Sequence, residues 1–116
     1  MSMLESNPPS SPTQGNPAPV FAALGDPTRL ALISRLGDGQ ARSIAQLSNG
    51  FELTRQGVTK HLRVLEEAGI VASSRVGREN HFSYVPEPIE GVRSYLDSVC
   101  EQWDDALSRL KAFVES

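Results

Sequence analysis

Five polar side chains between residues 55 and 63 recur at the spacing of one helix face. They are Arg55, Gln56, Thr59, Lys60 and Arg63. A guanidinium group can pair with guanine and an amide with adenine, while hydroxyl or ammonium groups can contact phosphate. Positions i, i+1, i+4, i+5 and i+8 share one side of an α-helix. The spacing therefore predicts either a surface that reads nucleic acid or an ordinary solvated helix face.

The helix that would carry these side chains has its own start and stop signals. Thr54 is a good N-cap residue, and Gly69 stands where a helix commonly ends. The apolar residues that recur on the opposite side, at spacings of four and three, are Val58, Leu62 and Leu65. We therefore predict an amphipathic helix over residues 54–68.

Three shorter helices are predicted ahead of it, over residues 20–24, 27–36 and 44–49. Asp26 is suited to the N-cap of the second, and Pro27 to its first helical position. Ser43 and Gln46 have the spacing of a capping box, which predicts the start of the third.

Residues 70–85 change from a helical to a strand-like pattern. Two β-prone runs flank the sequence GREN, which we interpret as a turn with Gly77 and Asn80 at its ends. The pattern predicts a β-hairpin, with Arg75 on its first strand and Arg78 at its tip.

The last segment carries apolar residues at two positions of four successive heptads. They are Ile89, Val92, Leu96, Val99, Trp103, Ala106, Leu110 and Phe113. A helix of about 25 residues is about 38 Å long, which exceeds the core of so small a domain. We expect these residues to form a self-association seam, rather than only a helix laid on its own domain.

The order of these elements is typical of a winged helix-turn-helix. A short helix, a tight turn and a second helix with exposed polar residues form the DNA-binding motif, and the hairpin forms the wing. We predict a mainly α (α+β) fold over residues 20–116, with five helices and a two-stranded β-wing, dimerising through terminal helices. Residues 1–19, rich in Pro, Ser and Asn, are predicted to be a disordered tail.

This layout indicates a sequence-specific DNA-binding transcriptional regulator whose partner is double-stranded DNA. In a helix-turn-helix, early residues of the second helix reach base edges in the major groove. Residues further along meet phosphates, and a wing meets the backbone or the minor groove. We expect contacts from the recognition helix at 54–68 and from the wing at 75–80. The residues concerned are Thr54, Arg55, Gln56, Thr59, Lys60, Arg63, Arg75 and Arg78.

The charge distribution is compatible with a nucleic-acid partner, although the net charge is −3. Residues 41–85 carry six Lys or Arg against four Asp or Glu, whereas residues 86–116 carry three against seven. The electric field at a surface follows local charge more than total charge. Ordinary mixed surface charge would give a similar count, so the charge alone does not decide between the two.

Little in the sequence is suited to catalysis. The two histidines have no Ser or Cys partner pattern, and no Gly-rich phosphate loop or metalloenzyme motif occurs. We therefore expect no enzyme activity, no cofactor and no metal. His61 is expected to be packed and hydrogen-bonded rather than to read a base. The single cysteine, Cys100, is typical of a reducing cytoplasm, and no apolar run is long enough to span a membrane.

Several motifs resemble the ArsR-type winged-helix repressors of bacteria and archaea. They are ALGDPTRLALISRL, SIAQL, TRQGVTKHLRVLEEAGIV and the wing GRENHFSYV. The resemblance covers residues 20–85 closely and 86–116 in layout. Members of that family are homodimers that pair through their terminal helices and repress transcription at operators. The resemblance therefore implies a homodimeric repressor, with Val20, Phe21 and Leu24 beside the C-terminal seam. Two recognition helices about 34 Å apart would read an inverted repeat.

The sequence departs from the metal-sensing members of that family. Where they carry Cys-Val-Cys, this chain has Ser43 and Ala45, which supply no thiolate ligand. A second family site uses histidine on the last helix, and residues 86–116 contain none. We interpret the polar cluster near the seam as a solvated acidic face; it consists of Asp97, Cys100, Glu101 and Asp104.

Two alternatives remain open at this point. One is a winged-helix protein-interaction module without specific DNA binding, whose basic face would meet an acidic partner. The other is a redox- or metal-responsive repressor with a non-standard sensing site, for example through oxidation of Cys100 across a dimer. The sequence assigns no effector.

Overall fold

A computed structural model describes residues 16–115, which form five helices and one small antiparallel sheet. The helices are α1 (Ala18–Leu24), α2 (Pro27–Leu36), α3 (Ile44–Ser48), α4 (Arg55–Glu67) and α5 (Glu87–Glu115). The strands are β1 (Arg42–Ser43), β2 (Val71–Val76) and β3 (Glu79–Tyr84), in the sheet order β1-β3-β2. The predicted fold, a helix-turn-helix followed by a β-hairpin and a long terminal helix, is confirmed.

The sheet differs from the predicted two-stranded wing in having a third strand. β1 pairs antiparallel with β3, with Ser43 opposite His81. A strand of two residues has no alternating pattern that could be recognised in the sequence. The strand matters because it joins the wing to the segment that leads directly into α3.

The hairpin turn is also shorter than predicted. Gly77 and Arg78 form the turn, and Glu79 and Asn80 already belong to β3, opposite Val76 and Arg75. Gly77 has a φ of 62°, a left-handed conformation that two-residue hairpin turns require and that glycine adopts without steric cost. Arg78 is at the tip, as predicted.

Helix α1 begins two residues earlier than predicted. Ala18 and Pro19 form its first turn, and the backbone N–H of Ala18 donates to Oδ1 of Asn16 at 3.0 Å. Residues 1–15 of the predicted disordered tail lie outside the described residues. Helix α1 therefore starts slightly before the predicted boundary at residue 20.

The predicted helix caps are present. Asp26 Oδ2 accepts from the backbone N–H of Thr28 at 2.9 Å and of Arg29 at 3.1 Å, which starts α2. These hydrogen bonds, chiefly the one from Arg29, lower the pKa of Asp26 because they stabilise the ionised carboxylate. Ser43 and Gln46 form the predicted capping box at the start of α3.

The core lies where α4 packs on the other elements. Its three predicted apolar residues, Val58, Leu62 and Leu65, are fully buried. The large side chains that join them in the same buried cluster are Leu32, Leu36, Leu47, Ile70 and Phe82. The opposite side of α4 is thereby held at the surface.

One arginine connects three helices. Nε of Arg29 donates to the carbonyl oxygen of Ala23 at 2.6 Å, and Nη2 donates to that of Ala22 at 3.3 Å. Nη1 of Arg29 donates to Nδ1 of His61 on α4 at 3.2 Å, since a guanidinium has no acceptor. His61 is thus packed and hydrogen-bonded, as predicted, and Arg29 ties α1, α2 and α4 together.

We predict that Arg29→Ala lowers the free energy of unfolding by about 1–3 kcal/mol, because it removes the side-chain donor to the carbonyl oxygen of Ala23 and to Nδ1 of His61. Chemical denaturation followed by circular dichroism measures the change. The control is Arg93→Ala, whose side chain is 74% exposed and only 3.9 Å from Glu90. Such surface pairs contribute little, so equal losses in the two variants would contradict the role of Arg29.

Candidate nucleic-acid interface

The turn between α3 and α4 is fastened to α2 by a single side chain. Nη1 of Arg35 donates to the carbonyl oxygen of Leu47 at 2.9 Å and also to that of Asn49. The guanidinium lies 4.4 Å from the centre of the Phe51 ring, a cation–π contact. These contacts hold the turn, and therefore the point at which α4 begins.

Helix α4 starts at the predicted N-cap. Oγ1 of Thr54 accepts from the backbone N–H of Gly57 at 3.0 Å. Oγ1 of Thr59 donates to the carbonyl oxygen of Arg55 at 2.7 Å. Both hydroxyls thus have a role within the first turns of the helix.

The predicted polar face of α4 is at the surface. Arg55, Gln56, Lys60 and Arg63 are exposed, and Thr59 is half-buried. None of the four exposed side chains is used to build the core, because the apolar residues of α4 point the other way. The face is therefore available to a ligand along the whole length of the helix.

A cleft runs between α3, the start of α4 and the wing. Its lining includes three of the predicted α4 residues together with Arg78 of the wing. The lining residues are Ser43, Ile44, Ala45, Arg55, Gln56, Thr59, Arg78, Glu79 and Asn80. We call this surface the recognition cleft. It brings donors from the helix and from the wing to one concave surface.

A second cleft lies further along α4. It is lined by Ile44, Thr59, Arg63, Glu66, Glu67, Ser73, Asn80 and Phe82. Arg63 thus lies beside the wing, as a residue further along a recognition helix would. Lys60, Arg75 and Thr54 line neither cleft, although all three are exposed.

The wing is positioned by contacts that sequence reasoning missed. Oγ of Ser73 on β2 donates to Oε2 of Glu66 on α4 at 2.6 Å. The backbone N–H of Val85 donates to the carbonyl oxygen of Ile70 at 2.8 Å, which closes the base of the hairpin. Asn80 also lines both clefts. It was not predicted to do so because the sequence pattern placed it in a four-residue turn, whereas a two-residue turn starting at Gly77 places it on β3.

Ser43 and Ala45, where the resemblance implies the cysteines of metal-sensing ArsR-type proteins, have other roles in this chain. The Ser43 hydroxyl accepts from the backbone N–H of Gln46 at 3.2 Å, and Ala45 is half-buried in the recognition cleft. Within residues 16–115, no group of three or more His, Cys, Asp or Glu side chains is placed to hold a metal ion. The residues of the acidic cluster are all exposed: Asp97, Cys100, Glu101 and Asp104.

Only the first part of α5 packs on its own protomer. Val92 is buried, and the ring of Tyr95 lies edge-on to that of Phe21 with centroids 6.1 Å apart. Further along, Trp103 and Leu110 are 65% and 58% exposed. No helix among the described residues is long and apolar enough to cross a membrane.

Two residues predicted at the dimer seam are buried within the protomer. Val20 is 1% exposed and Val92 is 6% exposed, and both belong to the core cluster. Their side chains have almost no surface left for a partner, because α1 and the start of α5 close over the core together. The exposed residues of the predicted seam are Phe21, Leu96, Trp103, Leu110 and Phe113.

Comparisons with known proteins agree with this geometry. Residues 24–74 match the model of a helix-turn-helix domain family. The chain is 33% identical to the uncharacterized HTH-type transcriptional regulator YuzN of Bacillus subtilis, over 67% of this chain and 91% of YuzN. It is 28% identical to the HTH-type transcriptional repressor SmtB of Mycobacterium tuberculosis, over 76% of this chain and 63% of SmtB.

A solved structure shows the same fold. An ArsR-like transcriptional regulator from Rhodococcus sp. RHA1 superposes with a TM-score of 0.74 at 32% identity. The match covers 84% of this chain and 91% of that protein. The chain belongs to the ArsR family of DNA-binding winged helix-turn-helix transcriptional regulators.

Proposed function

We propose that this protein is a homodimeric repressor that binds an inverted-repeat operator in double-stranded DNA, in the cytoplasm, through α4 and the wing. The observation that carries the proposal is the recognition cleft, where Arg55 and Gln56 at the start of α4 meet Arg78 of the wing. Repression is supported by the similarity to SmtB, which is itself a repressor.

The start of α4 is suited to direct base reading. Arg55 and Gln56 lie in its first turn with exposed side chains, and the first turns of a recognition helix lie deepest in the major groove. An arginine can donate two hydrogen bonds to guanine, and a glutamine can pair with adenine through both atoms of its amide. We assign base contacts to these two residues and to Thr59.

The remaining basic residues are suited to the DNA backbone. Lys60 and Arg63 follow further along α4, and Arg75 and Arg78 lie on the wing. Phosphate contacts of this kind fix the position of a protein on the duplex without reading sequence. Six basic residues within residues 41–85 make this part of the molecule locally positive.

The exposed part of α5 supports self-association. The helix has 29 residues, so it is about 43 Å long. Three large apolar side chains in its second half, Trp103, Leu107 and Leu110, are more than half exposed. An apolar stripe of this length is usually covered by a partner. A second copy of the chain would cover it and would place two recognition helices on one duplex.

The proposal is tested by measuring, with fluorescence anisotropy, how the protein binds DNA from upstream of its own gene. The titrations are made with scrambled competitor DNA present and across a series of salt concentrations. We expect tight, competitor-resistant binding at two protomers per site. Absence of binding even at low salt would instead favour a winged-helix module that binds protein.

If the first turn of α4 reads bases, replacing a base-reading side chain should reduce the ability of the protein to distinguish operator variants. Arg55→Ala or Gln56→Ala should cost about 1–3 kcal/mol of operator binding if the side chain pairs with a base. The loss should disappear on an operator changed at the base pair concerned. Arg109→Ala, which removes an exposed charge from α5, is the control. Unchanged ranking of operator variants would contradict the assignment.

Backbone contact by the wing predicts a different result for Arg78→Ala. Binding should weaken on every sequence alike, and the slope of log K against log salt should become shallower by about 0.9 for one lost phosphate contact. The same titrations measure both effects. A loss confined to one sequence would show that Arg78 reads bases instead of contacting phosphate.

Self-association through α5 predicts that Trp103→Glu gives a monomer. A buried tryptophan covers about 150–250 Å², so losing it from both protomers should weaken the dimer by at least about 100-fold. Sedimentation velocity across a concentration series measures this. Ser98→Glu adds the same charge on the opposite side of α5 and should leave the dimer intact. A dimer that survives Trp103→Glu would exclude this seam.

A further inference from the structure

The recognition cleft contains a carboxylate as well as basic groups. Glu79, the first residue of β3, lines the cleft directly after Arg78. Its side chain is 62% exposed, so it faces whatever enters the cleft. A negative charge at a surface that meets phosphates opposes binding, and its presence there requires a physical account.

The carboxylate of Glu79 is held in place by a neighbour. Oε1 of Glu79 lies 3.1 Å from Nε2 of His81, and alternate residues of a strand share a face. The side chain of His81 is only 19% exposed, and its backbone pairs between Ser43 of β1 and Ser74 of β2. His81 is therefore fixed by the sheet on both sides, and it orients the carboxylate.

Glu79 can distinguish DNA sequences at the minor groove, which a wing can meet, whereas Arg78 is assigned to phosphate. A·T-rich tracts have a narrow minor groove with enhanced negative potential, which repels a carboxylate. The minor-groove edge of an A·T pair offers only acceptors, whereas a G·C pair adds the N2 amino donor of guanine. A carboxylate can only accept hydrogen bonds. The acceptors of an A·T edge therefore repel it, whereas the N2 amino group of guanine in a G·C pair can donate a hydrogen bond to it.

We infer that Glu79 is a specificity-determining residue of the wing, which disfavours A·T tracts relative to G·C-containing DNA. The inference rests on the proposed function, since it requires that DNA enters the recognition cleft. His81 is a positioning residue in this account, because it acts through the carboxylate that it orients.

The test compares two duplexes of equal length, one of A-tracts and one of alternating G·C pairs, by anisotropy at one low salt concentration. Glu79→Gln removes the charge but keeps an oxygen acceptor for His81. We expect it to bind the A-tract duplex about fivefold more tightly than the unmodified protein, the effect of roughly one charge pair at close range in water. Binding to the G·C duplex should not tighten.

Glu101→Gln is the matched control, since it makes the same change in net charge at an exposed position of α5. It should leave both affinities unchanged. Three outcomes would overturn the inference and leave the proposed function standing. Glu101→Gln could raise the affinity for DNA as much as Glu79→Gln does, Glu79→Gln could raise the affinity for both duplexes equally, or Glu79→Gln could raise neither affinity. Absence of binding by the unmodified protein to either duplex would overturn the proposed function, and the inference with it.

Discussion

The last carbonyl groups of a helix have no partners within it, so they need donors from elsewhere. At the end of α1 some of these donors are backbone N–H groups of the following turn. Arg29, which lies in the first turn of the next helix, adds side-chain donors to the carbonyl oxygens of Ala22 and Ala23. The same guanidinium reaches His61 in the middle of α4. The orientation of the recognition helix therefore depends on a side chain that would not contact DNA. Both clefts depend on that orientation, because α4 forms one wall of each.

The parts of the fold that could be predicted from the sequence are those with local causes. Thr54 and Asp26 accept from backbone N–H groups two or three residues ahead, and the apolar residues of α4 repeat at helical spacing. Such signals lie within one turn of the chain. The polar face of α4 could be predicted for the same reason.

The missed features join residues that are distant in the sequence. β1 exists only because Arg42 and Ser43 meet β3 about forty residues later, and two residues carry no periodic signal. The contact between Arg29 and His61 likewise spans 32 residues. On α5, heptad spacing identified the apolar side of the helix, where the dimer seam is predicted, but spacing does not show where a helix leaves its own core. The heptad pattern therefore predicted Val92 and Trp103 alike to be seam residues, whereas in the structure Val92 is buried and Trp103 is exposed.

The short strand β1 has a mechanical consequence for regulation. Because β1 runs directly into α3 and pairs with β3, the wing and the helix-turn-helix are joined by backbone hydrogen bonds as well as by the contact of Ser73 with Glu66. The wing is therefore tied to α3 through β1 and to α4 through Ser73. In the proposed homodimer, a signal that releases the protein from DNA would then act on the distance or angle between the two protomers, through α1 and α5, rather than loosen a wing.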